Sequence, residues 1–342
     1  MLHLTKSAIT AVIALILGLS ATRMHAEICT TQSLMAPADR DTLAQVAKDL
    51  ALKMQMADAA GLRSESVAEV AKDFAGISEV VASTAPKLKG TSLAVDQVYL
   101  LDASTLKRNA DGGAADAQFF CTLNKSTAEA DFLIPALPPG KYAFAIVDAD
   151  SPTAPWRLSF LLRQEQGKWL MAGLYPKATT AGGHDGLWYW TQARQMVSRK
   201  EPWSAWLYYQ QSASLLQPAG FVQSSHLEKL RNEATAAAPP ALSEGITNDI
   251  PLVVKAKDGV EYRFTSLGTD DSLNTPSVDL AVHLKADPIA DQAAARKRNI
   301  AAMSALLAAY PELRKPFHGV WVFADVAGQN PYATEQAIAD IP

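Results

Sequence analysis

The sequence is short of charge, of cysteine and of the residue spacings that assemble reaction centres. Asp, Glu, Lys and Arg make up only 19% of its 342 residues, against 49% hydrophobic ones. Those proportions exclude a disordered chain, a collagen and a coiled coil, and leave a globular protein long enough for two or three units. Acids outnumber bases by 35 to 31 and the bases form no stripe, so nucleic acid, which needs a basic surface, is excluded as a partner. The sequence has no Gly-x-Ser-x-Gly elbow, no glycine-rich phosphate loop, no Cys-x-x-Cys and no His-Glu-x-x-His. The common serine hydrolases, nucleotide sites and zinc motifs therefore have no support, and no cofactor or metal is expected. Asn109-Ala110-Asp111-Gly112-Gly113 lacks the remaining ligands and closing glutamate of a calcium loop and reads as a solvated turn.

The clearest feature present is an address. Residues 1–26 carry Lys6, then an apolar run from Ala8 to Leu17, then Gly18 and Ser20, and close on Met24-His25-Ala26. A cation, a short apolar stretch and a small residue at the end make a secretory signal, and the run is shorter than the roughly 20 residues of a bilayer span. An uncleaved anchor is the alternative. No later stretch is long and apolar enough to span, so the mature chain is expected in the periplasm or outside the cell. Its two cysteines, Cys29 and Cys121, read either as one disulfide, favoured by that compartment, or as two separate thiols.

The fold class expected is α+β: opening helices with a curved antiparallel sheet over 27–180, a helical hairpin over 181–234, a linker over 235–245 and a small β-β-β-α-β domain over 246–342. Leu43, Val46, Ala47, Leu50, Met54 and Ala57 share a helix face, with Gly61 as its stop. Ser66 and Glu69 form a capping box for a second helix carrying Val70, Phe74, Ile77 and Val81. From residue 91 the apolar period becomes two, with a change of parity near Asp96 and Gln97 that predicts a bulge. Trp156, Leu158, Phe160 and Leu162 alternate on one face, and Trp169, Met171, Gly173 and Tyr175 return on it after a turn. Residues 187–199 and 203–216 read as an antiparallel helix pair, with Leu227 and Leu230 in a short third helix. Asp258-Gly259 between two alternating runs predicts a hairpin, and 278–284, a helix around Met303 and Leu307, and 320–324 complete the last domain.

Two helices leading into a curved sheet that ends in Gly167-Lys168-Trp169 resemble the cone-shaped nuclear-transport-factor-like, or cystatin-like, superfamily over about 34–176. The resemblance implies a pocket inside the cone, used by isomerase-like or hydratase-like enzymes and by non-enzymatic binding modules. Residues 132–142 are also similar to turns of prealbumin-like β-sandwiches, a likeness that leaves the opening helices unexplained. Ala205-Trp206-Leu207-Tyr208-Tyr209 through Ala213 to Leu216-Gln217-Pro218 resembles one degenerate tetratricopeptide repeat, without a second copy at a period of about 34.

Candidate residues follow from chemistry. His184 beside Asp185 could exchange protons if both entered the cone with Asp148, although Asp185 is also a natural helix N-cap. Trp188, Trp190, Trp203, Trp206 and Tyr209 crowd one hairpin, as core or as an aromatic surface for a partner protein or a glycan-like ligand. Trp156 and Trp169 either fill the cone or line a cavity for a small apolar ligand. The favoured function is an exported, non-enzymatic binding or scaffold protein. The alternative is a small-molecule enzyme of isomerase, hydratase or hydrolase type with its pocket in the cone.

Overall fold

A computed structural model describes residues 27–123, 126–273 and 276–342; the leader read over 1–26 lies outside them. The chain is α+β, with eight α-helices and fifteen strands among the described residues.

The N-terminal half is built in three layers. Helices α1 (Pro37–Gln55), α2 (Ala59–Ser64), α3 (Ala68–Lys72) and α4 (Ala75–Leu88) cover one face of an antiparallel sheet. That sheet has β1 (Ile28–Thr31), β2 (Ser92–Asp102), β5 (Lys141–Asp150), β6 (Trp156–Glu165) and β7 (Lys168–Ala178) in spatial order. Leu43, Leu50, Met54, Phe160, Leu162 and Met171 fill the space between the two layers. The opposite face is covered by a second sheet of β3 (Ala115–Thr122), β4 (Glu129–Leu137) and β10 (Val222–Ser224). Edge-to-face rings, Tyr99 on Phe132, Phe132 on Phe144 and Phe144 on Phe221, join the two sheets. Cys29 and Cys121 are joined by a disulfide, tying β1 to β3 across 92 positions.

Several sequence expectations are corrected here. Helix α1 stops at Gln55, ahead of Gly61; Ala57, just beyond its cap, adopts a left-handed φ of 57°, and Gly61 lies within α2. The single helix expected from Ser66 is two helices, the short α3 and the longer α4. Ser66 does not cap; its hydroxyl donates to the Leu62 carbonyl while Val67 N–H bonds to Met171 O, pinning the break to β7. The bulge at Asp96 is present, but a second register shift on β7, between the partners of Leu161 and Leu162, was not foreseen. It transfers Tyr175 to the outer face, where its ring meets Phe221 at 5.2 Å.

The C-terminal half starts with β8 (Thr180–Ala181) and β9 (His184–Asp185), then α5 (Gly186–Ser198), α6 (Pro202–Leu216) and, after β10, α7 (Ser225–Ala237). Residues 235–237, read as linker, continue α7. A Cβ on Gly186 would stand 2.5 Å from Leu216, so only glycine lets α5 cross α6 at this distance. A second five-stranded sheet follows, β11 (Leu252–Lys255), β12 (Glu261–Asp270), β13 (Asp279–Lys285), β14 (Gly319–Asp325) and β15 (Tyr332–Ala337), with α8 (Gln292–Ala309) on one face. β15 is an added strand beyond the expected β-β-β-α-β; its sequence Tyr-Ala-Thr-Glu-Gln-Ala has little apolar alternation. One continuous core runs from the helices into this sheet, including Tyr189, Trp203, Tyr208, Phe264, Val282, Met303 and Val320.

Candidate functional site

Helix α7 is held on three sides. Its N-terminus is capped by Ser224, whose hydroxyl accepts from Leu227 N–H at 3.2 Å, and Ser225 Oγ accepts from Glu129 N–H of β4 at 3.0 Å. Leu230 enters the core. Glu233 receives a bidentate pair from Arg194 of α5, at 2.7 and 2.8 Å, and the indole N–H of Trp190 at 2.7 Å. The Tyr209 hydroxyl lies 3.4 Å from the same carboxylate. Arg194 and Trp190 hold the Glu233 carboxyl well below the usual range, at about 2.

Helix α6 has no capping side chain of its own. Glu312, from the turn after α8, accepts from Trp203 N–H at 2.6 Å, and the Ser204 hydroxyl donates to its carbonyl. Tyr208 donates to Pro316 O and packs edge-on to Phe317. These bonds fix α6 on the C-terminal sheet and leave a channel between α6, α7 and β12.

That channel is a groove of about 750 Å³. Trp206, Ala213, Leu230, Leu242, Ile246 and Leu267 give it apolar walls, and Gln210, Gln217, Arg231 and Thr235 give it polar edges. Among the described residues its walls include no carboxylate. On the other side of α7 a smaller cleft of about 280 Å³ lies against the outer sheet face, lined by Tyr99, Phe132, Phe144, Trp190, Arg157 and His226 among others. Tyr99 is held there by a hydrogen bond to Gln97, and burial together with nearby Asp96 pushes its phenol up to about 12.

The three titratable residues singled out by sequence are not brought together. Asp185 caps α5, accepting from Trp188 N–H at 2.8 Å. His184 stacks on Trp188 with ring centroids 3.7 Å apart. Asp148 sits on β5 opposite Arg157, 3.8 Å from its guanidinium, and burial raises its carboxyl pKa. No hydrogen bond or ion pair links His184 or Asp185 to Asp148 among the described residues.

The aromatic candidates divide by location. Trp203 is buried against Tyr310, and Trp190 against Glu233 and Arg194. Trp188 is partly buried against the C-terminal core. Trp156 lies under Lys87 at the edge of the helix-covered core, which Trp169 also borders. Of the hairpin aromatics, Trp206 and Tyr209 reach the groove. Sequence reasoning missed Glu233, Arg231, Leu242 and Ile246, which lie in a helix and a connection that carry no motif. Compared with protein-family models, with curated proteins and with solved structures, the chain matches none.

Proposed function

We propose that this chain is an exported, non-enzymatic binding protein whose ligand lies in the groove beside α7. The observation that carries this reading is the groove itself: an aromatic and aliphatic trough of about 750 Å³ between otherwise packed elements, edged by glutamines and Arg231 and, among the described residues, without a carboxylate. Such walls suit a ligand with an apolar body and an edge that is uncharged or carries one negative group. The disulfide supports export, since such bonds persist in oxidising compartments. No helix among the described residues is long and apolar enough to cross a membrane.

We also propose membership of the nuclear-transport-factor-like superfamily for the N-terminal half, a reading supported by its opening helices laid on an antiparallel sheet. In place of that superfamily's pocket the helix-covered face of the sheet here holds Leu43, Met54, Phe160 and Met171, so the binding reading is placed on the groove. The test is native mass spectrometry of protein recovered from its host's envelope or medium, with a thermal-shift panel of neutral oligosaccharides and amphipathic acids. Wild type should carry an adduct or gain several degrees with one class, and Trp206→Ala should lose at least tenfold in affinity while keeping its circular dichroism. Absence of both an adduct and a shift would overturn the proposal.

A further inference from the structure

Outside the groove, three strands of the C-terminal sheet converge on one small site. Asp279 opens β13, His318 directly precedes β14, and Glu335 lies on β15 opposite Trp321. Asp279 is 2% exposed. Its Oδ1 lies 2.9 Å from His318 Nδ1, and its Oδ2 accepts the indole N–H of Trp321 at 3.1 Å. His318 is fixed through its backbone, N–H to Val278 O and carbonyl to Ile338 N–H. One donor atom from each of Asp279, His318 and Glu335 falls within 4.8 Å of the others.

The space between the carboxylates is open because residue 319 is glycine. A Cβ there would lie 2.9 Å from Glu335 Oε1 and 3.1 Å from Asp279 Oδ1. We infer that Asp279, His318 and Glu335 form a binding site for a divalent first-row transition ion of the zinc class.

Four arguments support the ion. Tetrahedral bonds of roughly 2.0–2.2 Å from zinc to imidazole nitrogen and carboxylate oxygen place neighbouring ligand atoms roughly 3.4 Å apart, and one donor atom of each of the three residues already lies within 4.8 Å of the others, so small side-chain shifts close the site. Two carboxylates carry the charge that a divalent cation cancels, in a place where a buried carboxylate facing another is costly. Imidazole in the set favours zinc-class ions over magnesium and calcium, which take oxygen ligands. The Trp321 N–H to Asp279 is the kind of outer bond that orients a ligating carboxylate. Arg296 and Asp340 also act on Glu335 from outside and oppose each other in sign. Three protein ligands leave a coordination position for water.

The test uses tag-free protein stripped with a chelator. Titration with Zn²⁺, and with Co²⁺ followed by its visible absorption, should show one saturable equivalent. His318→Gln and Glu335→Gln should each weaken binding at least tenfold with unchanged circular dichroism, and Gly319→Ala should do the same by filling the space. His283→Gln is the control: His283 Nδ1 contacts Asp325 at 2.9 Å on the same sheet but among the described residues meets no third donor group of this kind, and affinity should be unchanged. Should His318→Gln unfold, Glu335→Gln decides, since Glu335 is only partly buried. Absence of saturable binding, equal affinity in Glu335→Gln, or loss on His283→Gln would each overturn the inference. Preference for Mg²⁺ or Ca²⁺ over Zn²⁺ would do the same.

Discussion

Ser159 shows how a single side chain can be placed by pattern against its own chemistry. It sits in β6 between Leu158 and Phe160 and is fully buried. Its hydroxyl has no hydrogen-bond partner among the described residues. A buried hydroxyl without a partner costs about 1–3 kcal/mol, whereas the methyl of alanine has nothing to satisfy. Ser159→Ala should therefore be neutral or stabilise by up to about 1 kcal/mol, read from the urea midpoint at unchanged slope. A loss larger than 1 kcal/mol would mean the hydroxyl is bonded in solution.

At the scale of elements, Glu233 gathers α5, α6 and α7 through Arg194, Trp190 and Tyr209. Its carboxyl is lowered from 4.5 to about 2 in the fold. For an acid whose folded pKa is depressed, the stabilisation is complete above the unfolded value and is lost as pH falls through the folded one. Because the side chain is 26% exposed, solvent screening discounts the shift, and roughly 1–2 kcal/mol is expected. Glu233→Gln should lower stability by that amount at pH 7, and the gap to wild type should close between about pH 4.5 and 2. Parallel pH profiles in denaturant would refute this.

The same elements show what sequence could and could not reveal. The helix α8, the hairpin across Asp258-Gly259 and the cap at Asp185 were legible because each rests on neighbours in sequence: apolar period, turn chemistry, a carboxylate three residues from an amide. The break at Ser66 and the face of Tyr175 were not, because distant strands decide them: Met171 O captures the Val67 amide, and the shift on β7 reverses a parity that alternation alone would keep. The groove was half legible. Trp206 and Tyr209 stood out by density, while Leu242, Ile246 and Leu267 join them only through the fold. Asp279, His318 and Glu335 come from three strands and have no spacing for a motif to record.

For the whole molecule, burial divides into two bodies stitched by one short strand and by single bonds beside it, Leu133 N–H to Phe221 O, Glu129 N–H to Ser225 Oγ and the Arg157 guanidinium to Leu216 O. Leu43 to Met171 and the Tyr99 to Phe144 rings make the N-terminal cores, while Tyr189 to Ile341 share one C-terminal core. The stitch is β10, three residues that leave the helices to pair with β4. The disulfide lies wholly within the N-terminal body and closes a loop with a sequence separation of 92. On the chain-entropy account that closure stabilises by about 4–5 kcal/mol. Replacing both cysteines by serine should therefore lower the unfolding of one body only. Tryptophan fluorescence is weighted toward the other: Trp156 and Trp169 border the N-terminal core, while Trp188, Trp190, Trp203 and Trp206 pack into the C-terminal one and Trp321 lies on β14. Calorimetry should show two transitions in Cys29→Ser/Cys121→Ser, the lower one displaced and the fluorescence-detected one within about a degree of wild type. A single transition falling as one, by heat capacity and fluorescence alike, would mean that β10 and the Glu129 to Ser225 bond couple the two bodies more strongly than either core resists unfolding alone.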